Sequence, residues 1–306
     1  MDKITYKEEM CKGALTKLKR KIPYGWDLNI YRGCQHGCKY CYAIYSHKYL
    51  GSIDFFRDIH IKTNIVDELE KELRKNTWKK EIINIGGVTD SYQPAEAKYK
   101  IMPEVLKLLI KYKTPAIIST KSKLILRDYD LIDELSRITY VNVAETIITM
   151  DENIRKRIEP FGATSLERFQ VLNEFRNTNA STGLHVMPII PYITDNYENF
   201  DKLFKFASES DVDYVLPGTL YLRGHTKIAF LNFIEKEFLH LYEPLKVLYK
   251  TGGAGKAYKD KLYLMVNELR DKYNLSSSYT KPIKEKLNQS ENVQLSFFDK
   301  DEERFK

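Results

Sequence analysis

Short apolar runs alternate along this chain with longer stretches whose apolar positions recur every three or four residues. The first kind predicts buried strands and the second amphipathic helices. Leu28–Tyr31 leads into a cysteine-rich loop, and residues 64–75 carry helical periodicity. Ile82-Ile83-Asn84-Ile85 is a strand run ending in Gly86-Gly87, residues 103–112 are helical, and Ala116–Ser119 is again strand. The alternation continues with Asp128–Arg137 helical, Tyr140–Ile148 strand, Ser165–Arg176 helical, Leu184–Pro188 strand, 197–208 helical and Tyr214–Leu216 strand. Repeated about six times, this order predicts βα units around a parallel sheet. Right-handed crossovers curl such a sheet into a full or partial barrel, with its chemistry at the C-terminal ends of the strands. The expected organisation is an N-terminal segment (1–24), an α/β core (25–225), a helical C-terminal extension (226–275) and a flexible polar tail (276–306).

Composition narrows the classes. With 306 residues, 43% of them hydrophobic and 30% charged, the chain can bury a sizeable core, which excludes overall disorder. No apolar run approaches the ~18 residues needed to span a bilayer. The first twenty residues are charged and lack the apolar centre of a signal peptide, so a cytoplasmic location with no membrane partner is expected. The net charge of +7 is compatible with a polyanionic partner without requiring one. Charge and composition leave the oligomeric state open.

Chemistry enters with the cysteines. Cys11 stands alone, whereas Cys34, Cys38 and Cys41 fall within Tyr31-Arg32-Gly33-Cys34-Gln35-His36-Gly37-Cys38-Lys39-Tyr40-Cys41-Tyr42. In a reducing compartment such a cluster points to metal rather than to disulfides. The glycines let a short loop turn tightly enough for three thiolates to converge. Three thiolates leave one iron of a [4Fe–4S] cube open to a small molecule. The alternative is a structural zinc completed by His36 or His47, but no second cysteine pair exists to close it. Cys11 reads as an ordinary thiol.

The cysteine motif, with Tyr40 before its last member, resembles the signature of radical S-adenosylmethionine (SAM) enzymes. LNIYRGCQHGCKYCYA, GGVTDSYQPAE, STKSKLILRD, RIEPFGATSLERF and PIIPYITD, in that order, are similar to the spore photoproduct lyase-like, or DNA repair photolyase-like, branch. The resemblance spans roughly residues 25–250. It implies a partial (β/α)6 barrel of parallel strands and a [4Fe–4S] cluster held by Cys34, Cys38 and Cys41. It further implies SAM as co-substrate, an electron donor such as flavodoxin or ferredoxin, and action on nucleic acid, damaged DNA in particular.

Site residues follow from it one by one. The backbone near Tyr40 would meet the adenine. Gly86-Gly87-Val88 keeps the glycines of a Gly-Gly-Glu stretch that binds the SAM ammonium, but lacks its carboxylate. Asp90, two residues on, is the substitute by charge, or else a helix N-cap ahead of Gln93–Tyr112. Lys121 corresponds to a lysine that pairs the SAM carboxylate, against the alternative of a solvated lysine, and Glu145 and Thr146 are placed to accept ribose hydroxyls or else to hydrogen-bond within the core. The branch's hydrogen-returning cysteine has no counterpart in Gly86–Ser91, so Tyr92 or another tyrosine is the candidate relay. Arg223, with His225, is a candidate substrate contact after the last strand. His185 reads as a satisfied core histidine, and Glu159 with Arg168 as a structural salt bridge. Thr251–Lys256 lacks the glycine and hydroxyl spacing of a phosphate loop. In the tail, Gln294-Leu295-Ser296-Phe297-Phe298 is similar to the bacterial sliding-clamp-binding pentapeptide, against the alternative of a strand docking on its own domain. Enzymes that modify a peptide or metabolite, and a non-enzymatic metal-binding module, remain alternatives.

Overall fold

A computed structural model describes residues 3–19, 22–50 and 54–287, without the side chains of 48–50. The Gln294–Phe298 segment lies outside the described residues. The chain begins with β1 (Thr5–Glu9), β2 (Leu15–Lys17), β3 (Trp26–Leu28) and β4 (Tyr31–Arg32), which runs into the cysteine loop. A 3₁₀ helix (Tyr42–Leu50) leads to β5 (Asp58–Lys62) and α1 (Ile65–Leu73). Alternation follows: β6 (Ile83–Ile85), α2 (Pro94–Tyr99), α3 (Ile101–Tyr112), β7 (Ala116–Thr120), α4 (Tyr129–Ile138) and β8 (Val141–Thr146). Then come α5 (Glu152–Ile158), α6 (Ser165–Phe175), β9 (Ser181–Ile189), α7 (Tyr197–Glu209) and β10 (Tyr214–Thr219). Four helices close the described chain: α8 (Gly224–Glu237), α9 (Tyr242–Leu248), α10 (Lys256–Lys272) and α11 (Lys281–Leu287).

The main sheet has the order β10-β9-β8-β7-β6-β3-β2. Six of its strands are parallel and β2 pairs antiparallel at the edge. From β6 to β10 neighbours in space are neighbours in sequence, so right-handed crossovers lay their helices on one face, and the sheet curls away from them. The expected six-stranded partial barrel is present. A second sheet, β1-β5-β4, flanks the cysteine loop. It was not expected, since β1 is almost wholly exposed and shows no alternation.

Strand parity sorts the side chains. Ile83, Ile85, Ala116, Ile118, Val141 and Val143 pack into one apolar core with residues of α1, α3 and α4. Leu184, Val186 and Val215 pack with residues of α6, α7 and α10. The alternate positions, among them Asn84, Ser119, Asn142, Thr146, Ser181, His185 and Tyr214, therefore share the concave face. That lumen is polar. Its lower end is closed by α11, where Ile283 packs with Ile82, Ile117 and Tyr140. Lys286 Nζ donates to Ser136 O and Asn179 O, each at 2.6 Å, and Val215 N donates to Ser276 O at 2.8 Å. Residues 276–287, assigned by sequence to a flexible tail, are thus a structural part of the barrel. The stretch Gln93–Tyr112 is also not one helix, because Lys100 takes a left-handed conformation (φ 49°) and separates α2 from α3.

Candidate functional site

The cysteine loop sits over the C-terminal ends of the strands. Its entry needs glycine: at Gly33 (φ 83°) a Cβ would lie 2.7 Å from Asp58 O and 2.9 Å from Phe55 O. Cys34 and Cys38 are buried, Cys41 is partly exposed, and none of the three is in a disulfide. Burial raises the pKa of all three thiols, that of Cys38 to about 12. Among the described residues, no group of three or more His, Cys, Asp or Glu side chains closes on a point that could hold a single ion. A cube instead takes each thiolate on a different iron.

A second loop, after β6, is stitched to the first. Gly86 (φ 88°) starts it, where a Cβ would meet Thr89 O at 2.8 Å. Thr89 Oγ1 and Gln93 Nε2 both donate to Gly33 O, at 2.6 and 3.1 Å, while Gln35 N donates to Gln93 Oε1 at 2.9 Å. The Tyr42 hydroxyl donates to Gly87 O. Asp90 lies at the centre of this clasp. Its carboxylate accepts from Thr120 Oγ1 (2.8 Å), Lys121 N (2.9 Å) and Tyr92 N (2.8 Å), and faces His36 Nε2 at 3.0 Å. Burial opposes its charge, but His36, Lys121 and the backbone N–H hold its carboxyl well below the usual range. Asp90 does not cap α2, whose N-cap is Gln93. Instead it ties the cysteine loop to the tip of β7. The clasp roles of His36, read in the sequence only as a possible zinc ligand, and of Thr89 and Gln93 were missed by sequence reasoning, because their partners lie across loops and carry no local signal.

Around this clasp lie the other candidates. Among the described residues the Lys121 ammonium has no hydrogen-bond or ion-pair partner. Burial would discharge it, yet Cys38, Glu159 and Asp90 together raise its pKa. Tyr40 donates its hydroxyl to Glu159, which Arg168 pairs at 2.6 Å with both side chains wholly buried. Arg168 also donates to Thr146 O (2.6 Å) and Ala163 O (2.9 Å), so this salt bridge braces the cysteine loop against β8 and α6. Glu145 is fully buried with both carboxylate oxygens unpartnered, and burial pushes its carboxyl well up. Its register partner Leu184 lies on the helix-facing side, whereas that of Thr146 is His185, in the lumen. Of the two expected ribose contacts, Thr146 is on the concave face and Glu145 is turned toward α6.

Three candidates are resolved by their surroundings. Tyr92 packs in the apolar core with Tyr31 and Leu106, on the helix side, so a relay through it has no access to the lumen. A tyrosine that does face the lumen is Tyr214, which donates to Asn142 Oδ1 and meets His185 Nε2, both at 3.0 Å. That contact satisfies His185, and burial followed by the charge of Lys121 lowers its pKa to about 4. Arg223 and His225 are exposed after β10, with the Arg223 guanidinium 5.7 Å above the Tyr221 ring.

Comparisons with known proteins agree with this geometry. The chain is 32% identical over 284 residues to an uncharacterized protein of Mycobacterium bovis, covering 91% of this chain and 84% of that one. An uncharacterized protein of Methanocaldococcus jannaschii is 32% identical over 72% of this chain and 73% of its own. Among solved structures, spore photoproduct lyase complexed with dinucleoside spore photoproduct superposes with a TM-score of 0.66 at 13% identity, covering 88% of this chain and 79% of that chain. SuiB of Streptococcus suis bound to S-adenosylmethionine gives 0.53 at 15%, over 82% and 49%. The sequence profile of the Radical SAM superfamily matches residues 28–207, and the chain belongs to that superfamily.

Proposed function

We propose that this radical SAM enzyme acts on nucleic acid, in a lyase-like reaction directed at an unpaired or damaged base. Membership brings a [4Fe–4S] cluster and SAM, and the residues present fit both. Cys34, Cys38 and Cys41 supply three thiolates, and Lys121 supplies a cation with no partner of its own for the SAM carboxylate. The Gly86–Gly87 backbone and Thr146 line the remaining approach, while Asp90, already saturated by four groups, holds Lys121 and the loop in place. When bound and reduced, the cofactor pair supplies a radical able to abstract hydrogen from an unactivated carbon.

The observation that carries the nucleic-acid reading is the placement of exposed aromatics. Tyr42, Tyr45, Phe161, Tyr192 and Tyr221, 46–62% exposed, are the most exposed aromatic side chains among the described residues. All lie on the segment after Cys41 or on the connections that follow β8, β9 and β10, around one rim. Each exposed ring offers a face on which a base can stack, a contact of about 1–3 kcal/mol. The Arg223–Tyr221 stack adds a cation to the platform. Spore photoproduct lyase, of similar fold, binds a dinucleoside lesion, which supports the same class of substrate. Free buried thiols suit the cytoplasm, with electrons from a flavodoxin- or ferredoxin-type protein. Contact with a sliding clamp through Gln294–Phe298 belongs to the same proposal.

The test is reconstituted enzyme under dithionite, with 5′-deoxyadenosine measured in the presence of single-stranded oligonucleotide. Binding should be micromolar or tighter and should weaken at least tenfold in Phe161→Ala/Tyr192→Ala/Tyr221→Ala, with cofactor cleavage retained. Cleavage without any oligonucleotide binding would overturn the reading.

A further inference from the structure

Outside the barrel mouth, a cleft of about 440 Å³ opens between the β1–β2 connection and β4 and β5. Lys12, Arg32 and Lys62 line it together with Cys11, Thr16 and Asn29, and none of its lining residues is acidic. Arg32 pairs with Glu9 at 3.1 Å. Lys62 Nζ donates to Asn29 O at 2.6 Å, and among the described residues neither Lys62 nor Lys12 has a carboxylate partner. Burial, followed by the nearby Arg32 charge, lowers the Lys62 pKa, so an anion entering here would relieve repulsion as well as gain attraction.

The wall is fixed in advance. Asn64 clamps Cys11 on both sides, accepting from its N–H at 2.8 Å and donating to its carbonyl at 2.9 Å. Glu72 Oε1 accepts from Ala14 N (2.7 Å) and Leu15 N (3.3 Å), which commits that carboxylate to the loop backbone. Two lining residues belong to the framework of the site itself. Asn29 Oδ1 accepts from Val88 N of the second loop at 2.9 Å, and Arg32 immediately precedes Gly33-Cys34.

We propose that this cleft is a phosphate-binding subsite, set to take one phosphodiester of the strand whose base enters the barrel. It rests on the nucleic-acid reading only for the source of the phosphate. A free phosphate or nucleotide shares the chemistry, and the experiment separates the two sources. Fluorescence anisotropy with a labelled single-stranded DNA 12-mer is measured across a salt series for the wild type, Lys12→Gln and Lys12→Gln/Lys62→Gln. A methylphosphonate 12-mer is the uncharged control, and inorganic phosphate is titrated by calorimetry.

The double variant should bind DNA at least tenfold more weakly, with the salt slope reduced by about 0.7, the value for one phosphate of a single strand, and should bind the methylphosphonate strand as the wild type does. Lys12→Gln alone, an exposed change that leaves the fold intact, should show a smaller reduction of the slope in the same direction. If the wild type binds no oligonucleotide yet loses phosphate binding on the same substitutions, the subsite stands and the nucleic-acid reading falls. Unchanged binding of both DNA and inorganic phosphate in the double variant overturns the subsite.

Discussion

Glu145 is a carboxyl group with neither oxygen satisfied and no exposure. Held as the neutral acid, it binds a proton in the folded state that the unfolded chain releases above its ordinary value of 4.5. Its contribution therefore favours folding below pH 4.5 and is lost as pH rises. Glu145→Gln should raise the unfolding free energy at pH 8 and flatten its slope between pH 4.5 and 8 in urea titrations. A variant clearly less stable at pH 8 would mean that the carboxylate is ionised and paired. His185 runs the other way. Its pKa falls from 6.5 to about 4, so stability is full above pH 6.5 and is lost as pH falls toward 4. The loss amounts to as much as about 3 kcal/mol, which His185→Gln should largely remove from the acid limb.

At the scale of elements, the pair Arg168–Glu159 joins three pieces of chain that meet nowhere in sequence: the cysteine loop through Tyr40, the end of β8, and α6. Removing one partner of a buried pair leaves an uncompensated charge, typically about 3–5 kcal/mol. Arg168→Met should cost that much in denaturant unfolding, and Arg168→Met/Glu159→Met should recover a good part of it. A double variant as unstable as the single would place the energy in the Tyr40 and Thr146 contacts instead. The sequence made much of this scale legible. Ala116–Ser119 and Tyr140–Ile148 are apolar runs because a parallel strand covered on its helix side tolerates little polarity, and the cysteine spacing is dictated by a local loop. What escaped was non-local. Asp90 acquires its role from Thr120 and Lys121, some thirty residues away. Tyr92, two residues beyond Asp90, turns into the helix-side core, which composition cannot show. Helix α11 was hidden because only Pro282 and Ile283 are buried in an otherwise charged stretch.

For the whole molecule, that last helix matters most. Ile283 is the apolar stopper against Ile82, Ile117 and Tyr140. Ile283→Ala should lower stability by about 2–5 kcal/mol, as deletion of a buried branched side chain does. Truncation after residue 275 should in addition expose enough apolar surface to bind ANS, and a truncated chain that melts like the full one would return α11 to the status of a loose appendage. The described helices include none long and apolar enough to cross a membrane. A barrel stoppered below also imposes an order of traffic. Whatever occupies the depth of the lumen must arrive before a polymer lying across the aromatic rim, and must depart after it. Saturating oligonucleotide should then slow both the association and the release of a small molecule in the lumen, in proportion, and leave its equilibrium affinity where it was.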